Sequence, residues 1–296
     1  MSHTDVWTTG RLLTWTTDYL KENGADSPRL DAEVLLAYAS QCQRIDLYTS
    51  FEQDPGEQVR NSFRSLVKQR ADGTPVAYLV GQREFFSLPF QVSPAVLIPR
   101  PETEFVVTTA LDIIRQHYAD QTTVDLIDVG TGSGAIAVAI AKQLSHCHIR
   151  AIDSSSSALE IAQQNIVQHQ VQTQVTSLQS DLLEQIPTAE QVHIVVSNPP
   201  YVSQVEYEQL DSTVRDHEPQ SALLAGPSGL EVYNRLIPQA AAHLYPQGWL
   251  ILETSPQLHP ALTSQLNENP LYEAIGVVND LAGLPRVITA QRRAGS

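Results

Sequence analysis

Between an apolar run, Val124–Val129, and a helix-forming stretch, Ala135–Leu144, the chain carries Gly130-Thr131-Gly132-Ser133-Gly134. Alternating glycines at such a junction predict a strand that turns abruptly into a helix. Glycine lacks a Cβ, so the backbone turns tightly there and lets a ligand approach closely. The N–H groups and positive dipole end of the following helix add an anion-friendly wall. A chain organised around this turn is confined to a layered α/β design, and the residues around it agree. A helix at 102–117 precedes the strand. Downstream come a strand at His148–Ile152 ending at Asp153, a helix at 156–168, and strands near 173–178 and 192–197. A helix near 229–243 follows, then a strand at 248–253, a helix near 258–267 and two strands near 271–278 and 286–291. This alternation predicts a mostly parallel sheet with helices on both faces. The last two strands predict a hairpin with one antiparallel edge strand.

The first residues read differently. Leu12, Leu13, Trp15, Tyr19 and Leu20 cluster near helical spacing. Ser27-Pro28 predicts a helix start, with Asp31 near its positive end. Another helix, near 56–70, carries Val59, Phe63, Leu66 and Val67, and Gly73-Thr74-Pro75 closes the block. Over 76–99 the apolar residues Phe85, Phe86, Leu88, Phe90, Val92, Val96 and Ile98 recur at mostly even spacing, broken by Pro89 and Pro94. That suits an extended segment with a hairpin or edge ribbon linking two domains. Phe85 and Phe86 belong to the linker or an interdomain core.

What the glycine loop holds is open from the loop alone. Asp153, at the end of the next strand, is placed to accept two ribose hydroxyls. Gly130, Gly132 and Ala135 also satisfy a dinucleotide fingerprint, and some such turns hold no ligand. Asp128 favours S-adenosyl-L-methionine, because a carboxylate there repels a pyrophosphate but orients an ammonium group.

Ser197-Asn198-Pro199-Pro200-Tyr201 follows the apolar strand Val192–Val196 and weighs most. The C-terminal end of that strand opens on the same sheet edge as the glycine loop. A side-chain amide oxygen from Asn198 and the Pro199 carbonyl can each accept one N–H of a planar NH₂ group. Two prolines stiffen the turn so that the acceptors are preorganised, and Tyr201 is placed to stack on the planar group. A plain dinucleotide enzyme has no use for this element.

Charge narrows the substrate. Lys and Arg number 18 against 33 Asp and Glu, a net charge of −15. The excess is concentrated after residue 90, where 21 acids face 9 bases. That weighs against a broad phosphate-gripping surface. With 42% hydrophobic residues the chain can build packed cores. Two cysteines cannot form a disulfide framework, no Cys/His spacing reads as a zinc site, and no metal is expected. The first fifteen residues lack the pattern of a signal peptide, and no apolar stretch is long enough to span a bilayer, so a cytoplasmic setting is expected. Arg60, Arg64 and Lys68 share one helix face, by default a solvated one, otherwise a docking stripe for an acidic partner. Glu206, Glu208, Asp211, Asp216 and Glu218 mark either a lid or a soluble loop.

Taken together, Asp26-Ser27-Pro28-Arg29-Leu30-Asp31-Ala32-Glu33, Gly73–Leu79, Arg83-Glu84-Phe85-Phe86, Ile98-Pro99-Arg100-Pro101-Glu102-Thr103-Glu104, the glycine loop and Asn198–Tyr201 give nearly the whole chain a likeness. It resembles the release-factor glutamine methyltransferase family. Adenine-N6 nucleic acid methyltransferases share the Asn-Pro-Pro-Tyr turn and remain the alternative. The resemblance implies a helical substrate-recognition domain over 1–75, a β-hairpin linker over 76–99 and a seven-stranded Rossmann-like methyltransferase domain over 100–296. It implies methyl transfer from S-adenosyl-L-methionine to N5 of the glutamine in the GGQ motif of peptide chain release factors. Gly130, Thr131, Gly132, Ser133 and Gly134 would then contact the methionine part, Asp153 the ribose, and Asp181-Leu182 the adenine. Asn198 would touch cofactor and substrate, and Pro199, Pro200 and Tyr201 the glutamine. Arg100 and Glu102–Glu104 would shape the pocket entrance. His193 stands where the family usually has an acidic residue. No membrane and no nucleic acid partner are implied, and a monomer is expected.

Overall fold

The computed structural model describes residues 6–295; the first five residues, part of the stretch read for a signal peptide, lie outside them. The chain forms two compact units, one of residues up to Gly81 together with Asp211–His217, the other of Gln82–Leu210 and Glu218 onward.

The first unit is helical: α1 (Thr9–Glu22), α2 (Pro28–Ser40), α3 (Asp46–Thr49), α4 (Glu57–Ala71) and α5 (Val76–Val80). Leu13, Leu20, Leu35, Leu36, Leu47 and Phe63 form its core. α2 starts at Ser27 with Pro28 in its first turn, where the missing N–H leaves no broken bond. Asp31 and Arg70 tie α2 to α4 at 2.8 Å, and nearly buried Glu33 accepts from Arg29 and Arg44 at the same distance. Residues 76–80 are helical rather than extended. Pro75 and left-handed Gly81 (φ +70°) bracket a run too short to show a period of its own. Arg60, Arg64 and Lys68 share one face, as their spacing requires, along a groove lined by Trp7, Trp15 and Tyr19.

The second unit opens with a hairpin, β1 (Gln82–Phe85) and β2 (Leu88–Gln91), paired antiparallel. Phe85 and Phe90 are buried in this unit's own core. Then come α6 (Glu104–His117), β3 (Val124–Val129), α7 (Ala135–Gln143), β4 (Cys147–Asp153), α8 (Ser156–Gln168), β5 (Val175–Gln179) and β6 (Val192–Ser197). A short insert holds β7 (Val202–Ser203), α9 (Gln204–Gln209), α10 (Ser212–Arg215, within the first unit) and β8 (Leu224–Gly226). α11 (Glu231–His243), β9 (Leu244–Glu253), α12 (His259–Glu268), β10 (Tyr272–Asn279) and β11 (Pro285–Arg292) complete it.

The main sheet has seven strands in the order β10-β11-β9-β6-β3-β4-β5. Strands β9, β6, β3, β4 and β5 are parallel, and β11 is antiparallel to both its neighbours. The antiparallel strand is therefore not at the edge: α12 carries the chain outward to β10, and β11 returns between β10 and β9. The central strands bury both faces, with β3 and β6 almost fully covered, as a parallel sheet between helical layers requires. Strand order reverses at β3, which sends β4 and β5 to one side and β6 to the other. The crevice beyond the ends of β3 and β6 is the switch point where such sheets take ligands.

Candidate active site

A cleft of about 240 Å³ opens at that switch point. Val129, Gly130, Thr131, Gly132 and Ser133 line it at the end of β3, Asp153 at the end of β4, Asp181 and Leu182 after β5, and Asn198 and Pro200 after β6. Gly130, Gly132 and Gly134 have φ of +70°, +55° and +80°, the left-handed region where a side chain is strained. Gly134 does not line the cleft; it starts α7, and a Cβ there would stand 3.4 Å from that of Ala162 on α8.

Two carboxylates anchor the glycine loop. Asp128, next to last in β3, is fully buried and accepts from the Thr131 hydroxyl at 2.6 Å and the Ala137 N–H at 3.2 Å. Its Oδ1 is buried with no hydrogen-bond partner among the described residues, and burial pushes its pKa up to about 7. An orphaned carboxylate oxygen beneath a glycine loop suits an ammonium group, which would restore the charge that burial disfavours. Asp153 accepts from Gly132 N–H and Ser155 N–H, each at 2.9 Å. Burial raises its pKa while those backbone bonds oppose the rise. With the Ser154 N–H also turned to this carboxylate, a lone pair remains for a hydroxyl.

The turn after β6 is tied to the loop. Ser197 Oγ donates to the Val129 carbonyl at 2.7 Å, and Asn198 Nδ2 donates to Thr103 Oγ1 at 3.1 Å. With its NH₂ so used, Asn198 keeps Oδ1 as an acceptor. Pro199 and Tyr201 do not line the cleft. Tyr201 is half-buried beside Glu253, Arg286, Arg100 and Glu102, and burial raises its pKa. The turn has room to leave the strand because Gly229 lacks a side chain: a Cβ there would lie 2.6 Å from the Tyr201 carbonyl oxygen.

Several residues of the site were not evident from sequence. Asn165, fully buried on α8, donates to the Ser133 carbonyl at 2.8 Å and exchanges two bonds with the backbone of Gln91, tying the glycine loop to the hairpin. An Asn in line with Ala158 and Ala162 on an apolar face was the available signal. Glu218 is buried, pairs with Arg100 and accepts from Ile98 N–H at 3.2 Å. Glu218 is thus not part of a solvated loop, and Pro219, Ser221, Ala222 and Leu224 after it line the cleft. Arg100 and Thr103 line the cleft as well. Glu104 instead accepts from Phe86 N–H at 2.8 Å, holding a hairpin turn whose Phe86 and Ser87 both have positive φ. Asp181 pairs with Arg235 at 2.7 Å on the exposed rim. His193 lies at the far end of β6, accepting from Asp125 N–H at 3.0 Å. Among the described residues no cluster of His, Cys, Asp or Glu is arranged to hold a metal, and no helix is long and apolar enough to cross a membrane.

Residues 11–81 match the family described as the PrmC N-terminal domain, and 107–215 match the methyltransferase small domain. The chain is 46% identical to the release factor glutamine methyltransferase of Rhodopirellula baltica over 98% of both chains. It is 35% identical to that of Koribacter versatilis over 93% of this chain and 95% of the relative. Among solved structures, the hMettl16 catalytic domain in complex with the MAT2A 3'UTR hairpin 6 has a TM-score of 0.55, 16% identity, and coverage of 77% of this chain and 81% of that one. At that identity the likeness is one of fold.

Proposed function

The chain belongs to the release factor glutamine methyltransferase family, and from that premise we propose how its cleft passes a methyl group from S-adenosyl-L-methionine to N5 of the glutamine in the GGQ motif of a peptide chain release factor. The observation that carries the reading is the shared cleft: Asn198 and Pro200 line the same crevice as the glycine loop and Asp153 at the switch point. The bound cofactor supplies a methyl on a sulfonium, an electrophile that needs no metal.

The protein's residues do the rest by holding. Gly130–Ser133, with Asp128 beneath them, take the amino-acid end of the cofactor, Asp153 its ribose, and Asp181-Leu182 its adenine, while Gly134 only starts α7. Asn198 Oδ1, in the cleft, and the Pro199 carbonyl, beside its lining, each accept one N–H of the glutamine carboxamide, with Pro200 in the cleft and Tyr201 behind it completing its surroundings. An amide nitrogen is a weak nucleophile because its lone pair is delocalised into the carbonyl. Two acceptors that fix the NH₂ aim that nitrogen at the methyl and favour its pyramidal form, the one present in the transition state. No general base precedes the transfer, since the nitrogen becomes acidic only as it is alkylated.

The helical unit is assigned to recognition of the release factor, with the cytoplasm as the setting and one chain acting alone. The adenine alternative is disfavoured by the acidic balance after residue 90. Incubation with labelled S-adenosyl-L-methionine and a purified release factor is expected to label the glutamine. A release factor whose GGQ glutamine is replaced by alanine should stay unlabelled. Label on DNA with none on the release factor would overturn the reading.

A further inference from the structure

Asn198 is useful only with its amide the right way round. An amide turned over would offer N–H groups to the NH₂ of the substrate, donor against donor. What sets the orientation is the direction of the Thr103 hydroxyl, which has one proton to give. If that proton points away from Asn198, the Thr103 oxygen must accept, and Asn198 gives it Nδ2–H, the arrangement seen at 3.1 Å.

Behind Thr103 sits Glu253, at the end of β9 and only 2% exposed. Its neighbour Leu252 pairs with Ser197, the residue before Asn198, so Glu253 is level with the start of the turn. The hydroxyls of Thr103 and Tyr201 are close enough to favour its charged form, and its Oε2 has no hydrogen-bond partner among the described residues. Nothing in the transfer itself uses this buried carboxyl. We propose that Glu253 is a positioning residue: by accepting the Thr103 proton it fixes the amide of Asn198 with Oδ1 toward the glutamine, and by facing Tyr201 it braces the other end of the same turn. The inference rests on the methyl-transfer reading above.

The charge state of Glu253 then governs the turn. Burial pushes its pKa up to about 7, with Glu102 adding to the rise and Thr103, Arg286 and Tyr201 opposing it. Tyr233, on α11, also lies next to it. Once protonated, Glu253 can donate to Thr103 instead, which frees the Thr103 proton to turn toward Asn198 and reverse the amide. Turnover should therefore rise with pH through about 7.

The test compares kcat and KM on a release factor across pH for wild type, Thr103→Ser, Thr103→Val and Glu253→Gln, with cofactor affinity by calorimetry and folding by thermal melts. Thr103→Val is expected to lower kcat by about 100-fold at little change in KM or cofactor affinity. Thr103→Ser, which keeps the hydroxyl, should restore it. Glu253→Gln does not titrate and should lose the rise through neutral pH. Wild-type kcat in Thr103→Val, equal losses in the serine and valine variants, or an unchanged pH profile in folded Glu253→Gln would overturn the proposal. If Glu253→Gln fails to fold, the wild-type profile decides with the serine–valine pair: a wild-type kcat that does not rise with pH through about 7 would overturn the proposal. A wild-type protein that leaves the release factor glutamine unmethylated would overturn the functional reading itself, and this inference with it.

Discussion

At the end of β3 the chain turns through three glycines with positive φ; at the end of the neighbouring β6 it turns through Pro199 and Pro200. The two strands are parallel and in register, so both turns begin from the same geometry. Their compositions make them chemical opposites. The glycine turn bares backbone N–H groups, one of which already holds Asp153. The proline turn has lost two N–H groups and presents acceptors. The glycine turn adds donors to a wall that also carries the carboxylates of Asp128 and Asp153, whereas the proline turn offers acceptors alone; on the reading proposed above, the first takes the cofactor and the second the NH₂ group of the glutamine.

The sharpest way to break this comparison is Asn198→Ala. Loss of one preorganised acceptor should cut methyl transfer by about 100- to 1,000-fold, while calorimetry shows cofactor affinity largely kept. Asp153→Ala should do the reverse. Cofactor affinity is expected to fall by about 1.5–3 kcal/mol, with turnover at saturating cofactor largely preserved. If both variants lose binding and turnover alike, the walls do not divide the work.

Asp128 tests the donor wall by pH. Its folded pKa is raised from 3.8 to about 7, so its contribution to stability is present at acid pH and is lost as pH rises through about 7. Melts without cofactor should show Asp128→Asn gaining on wild type as pH climbs through that range. Cofactor affinity of the wild type should move the opposite way, because the ammonium group prefers the ionised carboxylate. The smallest effect is expected at the rim. Arg235 and Asp181 are about half exposed, so Arg235→Ala should cost no more than about 1 kcal/mol in a melting experiment.

Both turns could be read from the chain because each is a local pattern: glycines between an apolar run and a helix former, and Asn-Pro-Pro-Tyr after an apolar strand. Their supports could not. Glu218 reaches Arg100 across 118 positions, Asn165 reaches Gln91 across 74, and Thr103 reaches Asn198 across 95. Each is a single polar residue whose meaning comes from a partner that only the folded sheet brings near. The place of β11 was hidden for a related reason. Side-chain alternation records which face is buried, not which strand lies alongside. The five apolar residues of α5 fit a strand or a helix equally well, and the flanking Pro75 and Gly81 are the better guide.

The helical unit is completed by Asp211–His217, a stretch that follows the Asn-Pro-Pro-Tyr turn in the chain. A polypeptide made from its N-terminus thus exposes the first helices long before their last piece exists. That unit reaches its final composition only after most of the central strands have been synthesised. For the same reason a cut after Gly81 does not release it whole, and transplanting it onto another enzyme would require carrying a fragment from the middle of the catalytic half as well.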